Sequence, residues 1–248
     1  MNVIYILWLR EMKRYFRNRA YIIASLGQPL LYLLGFGFGF GATFQKSGQG
    51  NYIQFLAPGV ISMTMLFSSI FSGIGLLWDR RFGFLKETLV APVPRLQIMA
   101  GKTLGGATVA LCQGVLVAIV CVVVGFRPQS FSAIPLALLF MALIAIVFCG
   151  LGVAIGSLLE EMQSFQLVMN FLVMPVFFLS GALFPLTNLP TAMKIVTHLD
   201  PLSYGVDGLR TALIGVTHFG VSLDVLVLVC VGGLFLWLGS FLFSRIQL

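Results

Sequence analysis

A few side chains in this sequence are of types that catalyse reactions, but each lacks a partner that the chemistry requires. Gly101-Lys102-Thr103 resembles the end of a phosphate-binding loop. That loop needs a preceding strand and a glycine five residues before Gly101, where this chain has Leu96. Lys102 is better explained as the cytoplasmic start of a helix. Glu160 and Glu161 form a carboxylate pair, but adjacent helical residues point about 100° apart, so we expect a solvated turn there.

Other reactive side chains lie toward the C-terminal half. His198, Asp200, Asp207 and His218 share one segment, yet neither metal-ligand spacing nor a nucleophile elbow accompanies them. Ser180-Gly181 resembles the serine of an intramembrane protease, but no glycine precedes it at the required spacing. The sequence therefore predicts a protein that is not an enzyme by itself, with no catalytic residue, no metal site and no cofactor bound by this chain.

The elements that carry these residues are apolar over most of the chain. Apolar residues make up 59% of the 248 residues and charged residues 9%, and the mean hydropathy is +1.02. A soluble domain carries about 25% charged residues, whereas runs of roughly 18 or more apolar residues are typical of membrane-spanning helices. We predict an all-α membrane protein, one domain over residues 1–248, with six transmembrane helices at Ala20–Thr43, Phe55–Trp78, Ile98–Phe126, Phe131–Leu159, Phe165–Phe184 and Leu223–Phe243.

The basic residues are distributed unequally between the connectors. Of the 15 Lys and Arg residues, only four (Lys46, Arg127, Lys194 and Arg210) fall on one side of the predicted membrane. The cytoplasmic side of a membrane protein carries the excess of Lys and Arg, so both termini are expected in the cytoplasm of a multi-pass protein in the cell membrane. The net charge of +7 indicates this topology and contact with anionic lipid headgroups, not a nucleic-acid partner. The eleven on the cytoplasmic side are Arg10, Lys13, Arg14, Arg17, Arg19, Arg80, Arg81, Lys86, Arg95, Lys102 and Arg245.

The first 19 residues form an amphipathic segment. Ile4, Trp8, Met12 and Tyr15 with Phe16 recur at helical spacing, which is typical of a helix lying in a membrane interface. An alternative is that the segment serves only as an orientation signal for the first span. The basic residues that we assign to the opposite face of this interface helix are Arg10, Lys13, Arg14 and Arg17.

The loop at residues 79–97 is the most informative cytoplasmic connector. Phe82–Val90 is long enough for about two helical turns before Pro92 and Pro94 end them. A small apolar face among charges is unnecessary in a simple connector, but it suits a site where a cytoplasmic protein docks. The residues assigned to this docking site are Phe82, Phe84, Leu85, Glu87, Thr88 and Leu89.

A longer segment, residues 185–222, lies on the other side of the predicted membrane. It contains three prolines, few charges and two short helical stretches, Leu189–His198 and Leu202–Ile214, neither long enough to span. We expect re-entrant or interfacial helices that are buried in protein and that gate the outer end. The residues assigned to this outer gate are Leu189, His198, Asp200, Pro201 and Tyr204.

Pairs of small residues at i and i+4 allow close helix packing. They occur as Gly35/Gly39, Gly37/Gly41, Gly101/Gly105 and Gly152/Gly156. The sequence leaves open whether these faces pack within one chain or between two copies.

The spans are predicted to contain no internal ionisable residue, with Asp224 at the outer mouth of the sixth. Ion-coupled transporters usually carry such residues at membrane depth. The energy for any pumping would therefore come from a partner at the cytoplasmic docking loop, which points to the membrane half of an ATP-driven transporter. A passive channel or lipid scramblase is the alternative of another class, and a channel would be expected to show a polar stripe along one span.

Four sequence stretches carry a family resemblance over nearly the whole chain. They are Tyr52–Gly59 (Tyr-Ile-Gln-Phe-Leu-Ala-Pro-Gly), Lys86–Pro94 (Lys-Glu-Thr-Leu-Val-Ala-Pro-Val-Pro), Leu179–Pro185 (Leu-Ser-Gly-Ala-Leu-Phe-Pro) and His198–Tyr204 (His-Leu-Asp-Pro-Leu-Ser-Tyr). With the basic amphipathic start, these stretches make the chain similar to the type-2 ABC transporter permeases. Within that family it most resembles the daunorubicin-resistance and nodulation-factor export permeases.

The resemblance implies a six-helix exporter permease that dimerises and pairs with two nucleotide-binding ATPase subunits, which bind the ATP and Mg. It maps the coupling helix of the family to Phe82–Val90 and the paired outer helices to Leu189–Ile214. The cargo expected first is an amphipathic drug-like or lipid-like molecule, as in multidrug efflux. A lipid-linked saccharide or polysaccharide is the alternative cargo. Homodimer and heterodimer both remain open.

Overall fold

The protein is helical throughout the part of the chain that the structure describes. The computed structural model describes residues 3–46, 51–84, 93–186 and 190–244, and no strand occurs among them. The helices are α1 (Val3–Arg17), α2 (Arg19–Lys46), α3 (Tyr52–Arg81), α4 (Arg95–Val124), α5 (Ile134–Leu158), α6 (Met162–Leu179), α7 (Thr191–Leu199), α8 (Pro201–Ile214) and α9 (Val221–Ser244).

Six of these helices, α2, α3, α4, α5, α6 and α9, are long and apolar enough to cross a membrane. The predicted fold class, an all-α membrane protein with six transmembrane helices, is confirmed. The largest error in the predicted bounds is at the fifth span, which was predicted to run to Phe184 but ends at Leu179. The chain turns there because Gly181 adopts a left-handed φ of 74°, a conformation that continues no right-handed helix.

Helix α6 contains one wide turn that the sequence analysis did not foresee. Residues Met169–Val173 form a π-helical turn, in which the N–H of Met174 donates to the carbonyl of Met169. Pro175 follows at once and has no backbone N–H to donate. The wide turn redirects the neighbouring hydrogen bonds around that missing donor.

Helix α5 lies at the centre of the bundle and packs most extensively against α3 and α9. Its crossing with α3 is close because glycines face each other: a Cβ added to Gly73 would lie 2.0 Å from the carbonyl oxygen of Gly152. A Cβ on Gly156 would lie 2.6 Å from the carbonyl oxygen of Gly73. The Gly152/Gly156 pair therefore serves packing within the chain, one of the two roles that the sequence left open.

The glycine pairs of α2 behave differently. Within the described part of the chain, a Cβ added to Gly35, Gly39 or Gly41 would meet no atom within 4 Å, and of these four glycines only Gly37 has a neighbour, Ile53, at 3.2 Å. This face of α2 is thus almost uncovered in the single chain. The Gly101/Gly105 pair of α4, in contrast, receives α1, since a Cβ there would lie 2.9 Å from side-chain atoms of Leu7 and Glu11 respectively.

The two short helices of the predicted outer segment are present and lie within two residues of their predicted bounds. Helix α8 is inserted among α3, α5 and α9, and every residue from Leu202 to Arg210 is buried. Its approach to α5 requires a small residue, because a Cβ on Gly208 would lie 2.1 Å from the ring of Phe140. Helix α8 is therefore part of the protein core. Helix α7 is exposed at every residue except Thr197, so the expected burial in protein holds only for α8.

Candidate coupling site and outer segment

A cluster of charges joins α1, α3 and α4 at one end of the bundle. Arg10 of α1 donates to Oδ2 of Asp79 on α3 over 2.7 Å. Lys102 of α4 donates to the same oxygen, although its side chain is only 8% exposed. Glu11 lies beside the cluster and accepts from Arg10 at 3.1 Å. Two cations and two carboxylates thus neutralise each other where three helices meet.

Electrostatics favour the charged form of Arg10 in this cluster. Burial alone would lower the pKa of Arg10, but the nearby Asp79 carboxylate outweighs that effect and the pKa is raised. Asp79 is the shared acceptor of both cations, so removing it would leave Lys102 buried without a counter-charge. The carboxylate therefore fixes the position of the end of α3 relative to α1 and α4.

The prediction that the spans contain no internal ionisable residue is wrong at Lys102 and at Asp79, which lies within α3 and is 7% exposed. Lys102 lies within α4, where it forms a buried ion pair and is not one of the freely solvated cytoplasmic charges. Asp224 is fully buried in α9, and neither of its carboxylate oxygens has a hydrogen-bond partner among the described residues. Apolar periodicity located the helices correctly, but it cannot reveal that Asp79, 23 positions before Lys102, neutralises this lysine.

Helix α3 leads from the cluster directly into the predicted docking loop. Phe82 stacks on Trp78 with ring centroids 5.2 Å apart, and Arg80 pairs with Glu160 at 3.0 Å in the turn before α6. The side chains of Phe82 and Phe84 are 62% and 55% exposed. The stem of the loop therefore presents aromatic surface. The other predicted docking residues, Leu85, Glu87, Thr88 and Leu89, lie outside the described residues.

Helix α1 packs against the bundle through one face. Leu7, Met12 and Tyr15 are buried, and the indole N–H of Trp8 donates to the hydroxyl of Thr108 at 3.0 Å. Phe16, which was assigned to the apolar face, is instead exposed. Of the predicted basic face, Lys13, Arg14 and Arg17 are exposed, whereas Arg10 points into the charge cluster.

Four of the predicted outer-gate residues meet at the corner between α7 and α8. Asp200 caps α8 by accepting from the N–H of Leu202 at 2.9 Å, and Pro201 occupies the first position of that helix. The hydroxyl of Tyr204 donates to the carbonyl of His198 at 2.8 Å. Leu189 lies outside the described residues. The corner is thus held by local hydrogen bonds, and Asp200 and Pro201 are residue types that favour a helix start.

Two charged residues of α8, Asp207 and Arg210, are buried. The carboxylate of Asp207 accepts from the backbone N–H groups of His218 and Phe219 at 2.9 and 2.8 Å. Arg210 donates to the carbonyl of Gly181 at 3.0 Å, and its guanidinium lies 4.1 Å from the ring centroid of Phe55. These bonds attach α8 to the end of α6 and to α3. Sequence spacing gave no signal of them because the partners are distant in the chain.

Burial raises the pKa of Asp200 from its ordinary value of 3.8 to about 7, although the bonds from Leu202 and Ser203 act in the opposite direction. The folded protein therefore binds an extra proton between these values, and the resulting stabilisation is lost as the pH rises through about 7. We expect the wild-type protein to lose about 1–2 kcal/mol of stability between pH 5.5 and 8. Asp200→Asn keeps the capping oxygen and removes this dependence. Thermal unfolding in detergent at several pH values checks both expectations. If the wild-type protein and Asp200→Asn lose stability equally as the pH rises, the raised pKa of Asp200 is wrong.

Among the described residues, no group of three or more His, Cys, Asp or Glu could hold a metal ion. Comparison with known proteins decides the class. The family model for the ABC-2 type transporter matches residues 2–214. The chain belongs to the ABC-2 type transporter family. It is therefore a permease, a multi-pass membrane subunit of a family that works with ATP-binding subunits.

Similar permeases occur in bacteria and in an alga. The chain is 30% identical to the inner membrane transport permease YadH of Escherichia coli K12 over 233 residues, which cover 89% of each protein. It is 28% identical over 213 residues to nodulation protein J of Rhizobium leguminosarum, covering 84% of this chain and 81% of that protein. The transport permease ycf38 of Cyanophora paradoxa is 30% identical over 196 residues, which cover 76% of this permease and 66% of ycf38. The family resemblance stated from the sequence motifs is confirmed.

Proposed function

We propose that this permease is the membrane subunit of an ATP-binding cassette exporter. It moves an amphipathic drug-like or lipid-like molecule out across the cytoplasmic membrane. Two copies of a separate ATPase subunit hydrolyse the ATP, with Mg, and two copies of the permease surround the route. The permease itself contributes binding surfaces and movement, and no covalent chemistry.

One observation carries this proposal: the helix that leads into the docking loop is fixed by buried charges to two other helices. Asp79 joins α3 to Arg10 of α1 and to Lys102 of α4. A force applied by an ATPase at the loop is therefore transmitted to α1, α3 and α4 together. Packed helices that can adopt two discrete arrangements convert a local movement at the loop into alternating exposure of the route to the two sides of the membrane.

The orientation of the permease in the membrane follows from the charged residues at this end of the bundle. The charge cluster, Arg80 and the basic residues of α1 all lie near the end of α3 that carries the docking loop. An excess of Lys and Arg favours the cytoplasmic side. Both termini and the loop are therefore assigned to the cytoplasm, and the corner between α7 and α8 to the outer side, where it gates the route.

The uncovered glycine face of α2 supports a second copy of the permease. Because Gly35, Gly39 and Gly41 have no neighbour within 4 Å, another helix can approach the backbone of α2 closely. Two-fold symmetry is the commonest arrangement for such assemblies. We assign α2 and α6 to the cargo route between the two copies, whether the second copy is identical or a close relative.

We expect Leu85→Asp to release the ATPase subunit from the permease. The substitution buries a charge at the centre of an apolar docking surface, and the loss of binding free energy should match that of a hot-spot substitution. The amount of ATPase that co-purifies should therefore fall about tenfold or more. The two subunits are co-expressed, the permease is captured by a tag, and the ATPase is quantified in the eluate. Permease yield and its size-exclusion profile should not change, because the loop lies outside the bilayer.

Gln163→Asp is the matched control for this experiment. It adds the same charge to an exposed position at the start of α6, close in sequence to Glu160, which pairs with Arg80. The control should retain the ATPase. Normal recovery of the ATPase with Leu85→Asp would place the docking surface elsewhere, with the basic face of α1 as the next candidate.

A further inference from the structure

A cleft of about 420 Å³ lies inside the single permease chain, between α1, α2, α3 and α4. Along α3 it extends from Met63 to Trp78, which at about 1.5 Å per residue is roughly 22 Å. One leaflet of a bilayer, with its headgroup region, is about 20–22 Å thick. The cleft is therefore about as long as one leaflet is deep. Phe71 and Trp78 are partly exposed at its rim, so it opens to the surface.

One end of the cleft carries an uncompensated positive charge. Glu11, Arg14 and Asn18 line that end, next to Trp78. Glu11 is already paired with Arg10 at 3.1 Å, whereas Arg14 makes no ion pair or hydrogen bond with the residues that the structure describes. Arg14 is thus available to a negatively charged group. The remaining wall is mainly apolar and aromatic, with Phe67, Phe71 and Met63 along α3.

Deeper in the same cleft, three lining residues carry polar groups that lack partners. The Tyr15 hydroxyl, the Ser68 hydroxyl and Nε2 of Gln113 are buried and make no hydrogen bond within the described chain. Gln113 is only 2% exposed. Buried groups of this kind cost about 1–3 kcal/mol each when left unsatisfied. Burial also raises the pKa of Tyr15 to about 12, so its hydroxyl remains a neutral donor.

We propose that this cleft binds an acidic phospholipid from the leaflet on the side of the charge cluster. Its phosphate lies against Arg14, and its acyl chain follows Phe67 and Phe71. The hydroxyl and amide donors of Tyr15, Ser68 and Gln113, which are closed to solvent in the structure, rotate to reach its ester carbonyls. The positive charge of Arg14, the hydrogen-bond donors of the lining and the length of the cleft all favour an acidic phospholipid as the ligand. The site lies within one chain, whereas the proposed route lies between two copies and shares α2 with the cleft.

The inference rests on the proposed function in one respect only, the identity of the leaflet that supplies the lipid. Binding is therefore tested without ATPase, ATP or transport, so that its failure and the failure of the proposed exporter are distinguishable. The permease has three tryptophans, Trp8, Trp78 and Trp237, and Trp78 lines the cleft. Trp8→Phe and Trp237→Phe leave Trp78 as the only tryptophan. Bromine atoms on an acyl chain quench a tryptophan that they contact.

The experiment compares brominated phosphatidylglycerol with brominated phosphatidylcholine in vesicles that contain this single-tryptophan permease. We expect saturable quenching of Trp78 with about a tenfold preference for phosphatidylglycerol, as for a hydrogen bond to a charged group. Arg14→Gln should abolish the preference. Lys13→Gln removes the same charge from a neighbouring exposed position of α1 and should preserve it, while Gln113→Leu should weaken the binding of phosphatidylglycerol.

A second single-tryptophan protein, with Trp8→Phe and Trp78→Phe, reports on ordinary lipid around the bundle through Trp237, which is exposed on α9. It should show no preference between the two lipids. Equal quenching of Trp78 by both lipids would overturn the proposal, because ordinary lipid at the exposed rim of the cleft would then account for the signal. The proposal also fails if the preference survives Arg14→Gln, or if Trp237 shows the same preference as Trp78.

Discussion

Replacement of Asp79 with leucine is expected to destabilise the permease by about 3–5 kcal/mol. The substitution removes the shared acceptor of Arg10 and Lys102 and leaves the Lys102 ammonium buried in α4 without a counter-charge. Because Asp79 also fixes the stem of the docking loop, the fraction that remains folded should couple ATP hydrolysis to transport poorly. Thermal unfolding of the purified permease in detergent measures the first effect, and ATPase stimulation in the reconstituted complex measures the second.

A second substitution separates the buried charge from simple loss of packing. Lys102→Met in the Asp79→Leu background removes the unpaired ammonium and should recover most of the lost stability, since an apolar pair can replace a buried ion pair. Arg10 then still has Glu11 at 3.1 Å. Glu160→Gln is the control, because its pair with Arg80 is largely exposed and contributes little. An Asp79→Leu single variant as stable as wild type, or no recovery in the double variant, would contradict the assigned role.

Hydropathy and loop composition were enough to predict the fold class and six helices, because long apolar runs in a membrane have one structural solution. The predicted third span, Ile98–Phe126, corresponds to α4 at Arg95–Val124, and the predicted sixth, Leu223–Phe243, to α9 at Val221–Ser244. The ends differ where a local conformation decides them. Gly125, with φ at 119°, ends α4 at Val124, before the end that apolarity alone suggests.

The charged contacts inside the bundle could not be predicted from the sequence. Lys102 was assigned to the cytoplasmic side and Arg210 to the other side of the membrane, and nothing in the spacing reveals that Lys102 meets Asp79 or that Arg210 meets the carbonyl of Gly181. These partners come together only after the helices have packed. The polar lining of the cleft is a further example, since Gln113 and Ser68 lie on different helices and each is a polar residue in a mainly apolar run.

The outer segment shows an intermediate degree of predictability. The prolines and the Asp200-Pro201 pair indicated two short helices with a break between them, and the structure places that break between Leu199 and Pro201. What the pattern did not indicate is how completely α8 is enclosed by α3, α5 and α9. Enclosure depends on the glycines of α8, of which Gly205 meets Ile144 and Gly208 meets Phe140. The gate role of this segment remains a prediction.

The central claim is that the permease moves an amphiphile only when its partner hydrolyses ATP. The permease and its ATPase subunit are reconstituted into vesicles that contain a fluorescent phospholipid analogue, and ATP with Mg is added outside. Dithionite then destroys the fluorophores in the outer leaflet, so the surviving fluorescence measures movement to the protected side. We predict that the protected fraction rises with ATP and Mg, stays at background without them, and stays at background in the Leu85→Asp complex. Equal movement with and without ATP would contradict the account and indicate a passive scramblase.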